Sequence, residues 1–215
     1  MASSLPSTDK ITAAVITGGH EFDVPGFHAI FRSFSNVDGY IQHVDDFVAD
    51  VANVRRAYDV IIFYHLFWKT PDGKLKDVLE QLGSAGQGIV LLHHAILAYR
   101  QWPLWSELVG IPDRSFQYHM DQQLHINVAD ADHPITRGLE KWTMVDETYE
   151  MDSTGPDSQI LLTVDHPKSM HTIAWTRQFQ KCRVFCIQSG HDNQTYLDPS
   201  FRTVIHRGIR WCAGR

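Results

Sequence analysis

Gly88-Ile89-Val90-Leu91-Leu92-His93-His94-Ala95 runs from a glycine through four aliphatic residues into two imidazoles. So short and so apolar a run predicts a strand buried on both faces, the kind used by a parallel sheet. Open parallel sheets bind ligands just beyond the carboxyl ends of their strands. His93 therefore stands where such a fold keeps its chemistry. Two other apolar runs finish in the same way. Ile11 to Thr17 leads into Gly18-Gly19-His20-Glu21-Phe22-Asp23, and Arg183 to Gln188 leads into Ser189-Gly190-His191-Asp192. Three strand ends each deliver a histidine at once.

The segments between them fit the same fold. Asp23 followed by Pro25 reads as a capped helix start, with the helix running to about Phe34. Val37 to Val44 and Tyr58 to Phe67 read as strands, joined by a polar connector, Asp45 to Ala57, with helical character. Leu75, Val78, Leu79 and Leu82 have the spacing of one helix face over Asp72 to Leu82. His94 to Val109 reads as helical, interrupted at Pro103. In the second half, Gln122 to Val128 and Lys141 to Met151 alternate apolar and polar residues. Ile160 to Val164 and Thr172 to Thr176 are further strands, and Ser200 to Trp211 is a closing helix. The expectation is one α/β domain over residues 1–215. Its sheet is mostly parallel, with an antiparallel insertion or edge.

At 215 residues and 43% hydrophobic, the chain suffices for one full core. The net charge of -6 is spread out, and no Lys/Arg run marks a nucleic-acid surface. Met1 to Lys10 is small and polar, without the apolar stretch of a secretory leader. No run reaches membrane length. A cytoplasmic protein with no nucleic-acid or membrane partner is expected. Cys182, Cys186 and Cys212 lack disulfide spacing and read as buried free thiols.

Neutral imidazole is the commonest protein ligand for zinc-like ions, and three ligands with one open position make a catalytic site. His20, His93 and His191 are thus the expected holders of a divalent ion, possibly zinc. Val145-Asp146-Glu147-Thr148-Tyr149-Glu150 supplies carboxylates, which either face solvent or, through Glu147 or Asp146, point into the site as a general base or as a partner that supports a ligand. His119 is a further acid–base candidate beside an expected loop. Trp102 and Tyr149 offer flat faces to sugar rings; Glu21 and Asp192 offer polar contacts. Gly18-Gly19 lacks the third glycine of a dinucleotide fingerprint, and Glu21 would repel a pyrophosphate, so no nicotinamide cofactor is expected. Related folds raise a nucleophile on a sharp turn after the fourth strand. His93 occupies that place, with no Cys or Ser beside it. Asp132-His133-Pro134-Ile135-Thr136-Arg137-Gly138-Leu139 reads as a structural turn.

These stretches, with Val15 to His20, Trp102 to Trp105 and Ile173 to Thr176, resemble in order the ThuA-like (trehalose utilization) family. The resemblance implies a class I glutamine amidotransferase-like fold, a flavodoxin-like three-layer sandwich that has lost the amidotransferase cysteine. It implies a role in the use of trehalose and related disaccharides, alongside enzymes that make 3-keto sugars. His20, His93, His119, Glu147 and His191 are the positions it carries over as the site. Two functions follow as expectations. One is metal-assisted elimination, hydrolysis or isomerisation of a keto sugar or keto-glycoside. The other is a non-catalytic sugar-binding or regulatory module. The partner in either is a small-molecule sugar, and a homo-oligomer is compatible with both.

Overall fold

The computed structural model describes residues 10–215; the polar opening stretch read above lies, up to Asp9, outside the described residues. Nine strands form one sheet. They are β1 (Ile11–Gly18), β2 (Val37–His43), β3 (Val60–His65), β4 (Gly88–Leu92), β5 (Gln117–Val128), β6 (Trp142–Glu150), β7 (Gln159–Thr163), β8 (Thr172–Phe179) and β9 (Cys182–Ile187). Their order is β2-β1-β3-β4-β9-β8-β7-β5-β6. The β2-β1-β3-β4-β9 half is parallel throughout. The β8-β7-β5-β6 part is antiparallel, so the extension expected from the alternating strands has four strands against the five of the parallel core.

The helices are α1 (Val24–Arg32), α2 (Val44–Ala49), α3 (Ala52–Arg55), α4 (Gly73–Glu80), α5 (Leu82–Ala85), α6 (Pro103–Val109), α7 (Asn193–Tyr196) and α8 (Pro199–Cys212). Successive strand residues point to opposite faces, and each face has its own core. Val15, Ile62, Val90 and Phe185 pack with Phe27 and Phe31 of α1 and Phe201, Val204 and Ile205 of α8. Ile16, Ile61, Leu91 and Val184 pack with Phe47 of α2, Val78 and Leu79 of α4 and Trp105 of α6. Asp23 caps α1 by accepting from Gly26 N, and Asp198 caps α8 by accepting from Phe201 N. Cys182, Cys186 and Cys212 are buried free thiols, as expected. No helix among the described residues is long and apolar enough to cross a membrane.

Two expectations change here. His94 to Val109 is not one interrupted helix. A 3-10 turn, His93–Ile96, follows β4, and α6 starts only at Pro103. Between them Tyr99 adopts φ +47, which no helix accepts. β5 begins at Gln117, five residues before the apolar alternation becomes visible. Its early part pairs only with β6, through a register shift between His119 and Gln122, with Asp121 at φ +54. Such a bulge bends the hairpin, and β6 brings residues of that hairpin onto the ends of β4 and β9.

Candidate functional site

Three side chains meet beyond the carboxyl ends of β4 and β9. His93 Nε2 lies 3.2 Å from His191 Nδ1. Glu147, from β6, places Oε1 3.5 Å from His93 Nε2 and Oε2 3.6 Å from His191 Nδ1. One ligand atom from each lies within 4.8 Å of the others. Metal–ligand bonds of about 2.1 Å in a tetrahedron put neighbouring ligand atoms about 3.4 Å apart. The His93–His191 edge is close to that spacing, and the Glu147 carboxylate straddles the pair, one oxygen towards each imidazole.

His93 is oriented before any ligand arrives. Its Nδ1 donates to the Gln188 carbonyl at 2.7 Å, which fixes the hydrogen on that nitrogen and leaves the Nε2 lone pair facing Glu147 and His191. The residue has φ +52, a left-handed backbone conformation that is costly outside glycine. This is the sharp strand-to-helix turn on which related folds mount a nucleophile, and here it mounts an imidazole. Tyr149 O–H lies 2.8 Å from His93 Nε2 and donates to it as long as no ion takes that lone pair. Burial, then the neighbouring Glu147 charge, holds that phenol well above its ordinary range, so it stays protonated.

His191 sits on a turn built around Asp146. The buried Asp146 carboxylate accepts from Gly190 N at 2.8 Å, His191 N at 3.1 Å and Glu147 N at 2.9 Å. Tyr64 O–H donates to the Gly190 carbonyl and Tyr196 O–H to the His191 carbonyl, each at 3.0 Å. Gly190 has φ +127, and a Cβ there would come within 3.1 Å of Leu92 Cδ1. Burial first, then the His93 charge, pulls the His191 pKa down, which keeps the imidazole in its ligand form. Burial alone would raise Glu147. The two histidines beside it outweigh that, because either imidazole, once protonated, attracts the carboxylate, and Glu147 lies below its ordinary value.

The remaining expected residues divide. His20 reaches the site but not the triangle. It stacks on His94 at 4.5 Å between centroids and meets His191 edge-on at 6.2 Å. Glu147 takes the third position instead, because the bent hairpin carries it there. Gly19 makes this approach possible: a Cβ at its φ of +73 would run into the Leu66 carbonyl. Between the two neighbouring histidines, His93 joins the triangle, while His94 is buried between His20 and Tyr64. Glu21 and Asp192 line the cleft. His119 does not. It is in a strand, opposite Thr148, so it shares the Thr148 face and pairs with Glu150 at 3.1 Å. Trp102 does not either. It is buried in the core, stacked on Trp105.

The triangle opens into a cleft of about 510 Å³, whose rim includes Trp68, Phe116, Tyr118 and Met120. Trp68 and Phe116 stack in parallel at 6.1 Å. Trp68 is 54% and Tyr118 62% exposed, unusual for side chains so large. Sequence reasoning missed Trp68 and Phe116. Trp68 follows the carboxyl end of β3, which places it at the same mouth of the sheet, whereas Phe116 stands just before β5 and outside any periodic run.

The sequence profile of ThuA, described as trehalose utilisation, matches residues 28–212. The chain belongs to the ThuA family. Its fold is similar to that of a ThuA-like protein from Parabacteroides merdae, at 21% identity and a TM-score of 0.73, covering 95% of this chain and 90% of that one. A ThuA-like protein from Bacteroides uniformis gives 18% identity, a TM-score of 0.73 and coverage of 98% and 95%. A glutamine amidotransferase from Thermotoga maritima, at 7% identity and a TM-score of 0.55, covers 95% of this chain and 99% of that one. The amidotransferase-like fold expected for this ThuA chain is therefore present. No curated protein matches it.

Proposed function

We propose that this chain is a metal-dependent enzyme of sugar metabolism that acts on a keto sugar or keto-glycoside, with the ion held by His93 Nε2, His191 Nδ1 and Glu147. The observation that carries this reading is the convergence of His93, His191 and Glu147, one ligand atom from each lying within 4.8 Å of the others. The donor set, two neutral imidazoles and one carboxylate with a side open to the cleft, suits a catalytic zinc-type ion. Such an ion, when bound, polarises a substrate carbonyl or activates a water. The two helix-bearing faces of the sheet are read as the outer layers of a three-layer sandwich around this site.

The chain's own groups divide the remaining work. The exposed Trp68 and Tyr118 give flat faces for sugar rings, and Glu21 and Asp192 take ring hydroxyls. Tyr149 keeps its proton and donates to an oxygen that gains negative charge. With Glu147 committed to the triangle, His20 is the base beside the reacting carbon. Its Nδ1 lies 2.7 Å from the Glu21 carbonyl and so carries the hydrogen, leaving Nε2 free to accept. Removal of the proton next to the keto carbon by His20 lets the glycosidic oxygen leave from the following carbon, and the same imidazole returns the proton to it.

The test is turnover of 3-keto-glycosides by protein purified without a histidine tag, before and after chelation. Activity that chelation abolishes and zinc or manganese restores supports the reading. Saturable sugar binding without turnover, in protein shown to hold metal, contradicts it and favours a binding module.

A further inference from the structure

We propose a second ligand site, for the phosphoryl group of a small molecule, at the end of the sheet opposite the histidines. A cavity of about 410 Å³ there is lined by Arg183, Arg207, Arg210 and Arg215, with Trp211, Pro134 and Gly214. The chain carries net charge -6, yet no Asp or Glu is among these residues. Arg207, Arg210 and Arg215 come from the last turns of α8 and beyond, and Arg183 joins them from the start of β9.

The guanidinium groups are placed rather than merely crowded. Arg183 lies over the Trp211 ring at 5.4 Å and donates to the Trp211 carbonyl at 3.0 Å. Arg207 donates to the Arg137 carbonyl at 2.7 Å and the Ile135 carbonyl at 3.3 Å. That ties it to the Asp132–Leu139 turn, whose Pro134 forms one wall. Of the four, only Arg215 pairs with an acid among the described residues, Asp59 at 3.5 Å. A guanidinium offers five N–H donors, so each keeps several free, and the fork geometry matches phosphate.

The negative end of α8 opposes an anion here. That opposition is blunted, because Arg215 N donates to the Arg210 carbonyl at 2.9 Å and Gly214 N to the Trp211 carbonyl at 3.1 Å. Three arginines without acidic partners around one concave space outweigh a partly satisfied helix end. The Trp211 face adds a flat wall for the rest of a phosphorylated molecule.

Isothermal titration of the full chain with inorganic phosphate and with pyrophosphate tests this. One saturable site per chain is expected, weakened at least tenfold in Arg183→Ala and in Arg210→Ala. It should be unchanged in Arg100→Ala, a distant exposed arginine, and in Glu147→Gln, which separates it from the histidine site. Absence of saturable heat, or equal affinity in the Arg183 and Arg210 variants, overturns the proposal. So does sedimentation with phosphatidylserine vesicles while free phosphate and pyrophosphate give no heat.

Discussion

His93 and His191 stand 98 residues apart in the chain and bring their ring nitrogens to 3.2 Å. Neither is free to drift. The Gln188 carbonyl holds the first through Nδ1, and Asp146 holds the backbone of the second. Asp146 is a positioning residue, since it touches the backbone beneath the ligands. Asp146→Asn puts an amide where an acceptor of three N–H groups is needed. It should weaken zinc binding about 10- to 100-fold and cost roughly 1–3 kcal/mol of stability. Competition with a fluorescent chelator measures the first and thermal melting the second. Unchanged zinc affinity would show that the 190–191 turn holds its shape without Asp146.

Gly190→Ala tests the same turn through the backbone. At φ +127 any side chain is strained, and the added methyl meets Leu92. A loss of about 1–3 kcal/mol is expected. For a chain of this size that lowers Tm by several degrees, at about 2–4 °C per kcal/mol. A melt indistinguishable from the parent would mean the turn relaxes at no cost.

The sequence showed the parallel half of the sheet plainly, because β1, β3, β4 and β9 are short apolar runs. It also placed His93 on the turn after β4. It did not show how the β5–β6 hairpin bends. That bend depends on a bulge at Asp121, where nothing in the local pattern signals φ +54. Hence Glu147 was expected as a base and His20 as a ligand, whereas Glu147 stands beside His93 and His191 and His20 lies outside that group, stacked on His94. The same bend turns His119 to the Glu150 face. Trp102 misled for another reason: an indole suits a sugar and a core equally, and only the packing of α6 decides between them.

Trp102 and Trp68 should therefore behave oppositely. Trp102→Ala removes a core side chain and should cost about 3–5 kcal/mol. Trp68→Ala removes an exposed one, and its stability should stay within about 0.5 kcal/mol of the parent while sugar affinity falls. Denaturant melts and calorimetry with a keto-glycoside separate the two. A Trp68 variant that binds sugar as the parent does would remove the aromatic rim from the site.

His65 gives a pH dependence of its own. It is fully buried, neither ring nitrogen has a hydrogen-bond partner among the described residues, and burial, aided by His43, pushes its pKa from 6.5 down to about 3. Between those values the unfolded chain takes a proton that the folded chain refuses. Stability is therefore full above the ordinary histidine range. It falls as pH drops through 6.5 toward 3, by up to about 1.4 kcal/mol per unit. His65→Leu should flatten this fall between pH 6.5 and 5, read by Tm at each pH. An unchanged slope would mean that other groups set the acid limit.

Metal content of untagged protein, measured by plasma mass spectrometry on the parent, Glu147→Ala, His191→Ala and His20→Ala, tests the central claim most directly. The expected result is close to one divalent ion per chain in the parent and in His20→Ala, and little in the other two folded variants. A parent without metal after incubation with zinc, or a His20 variant that loses the ion while the Glu147 variant keeps it, would contradict the triangle.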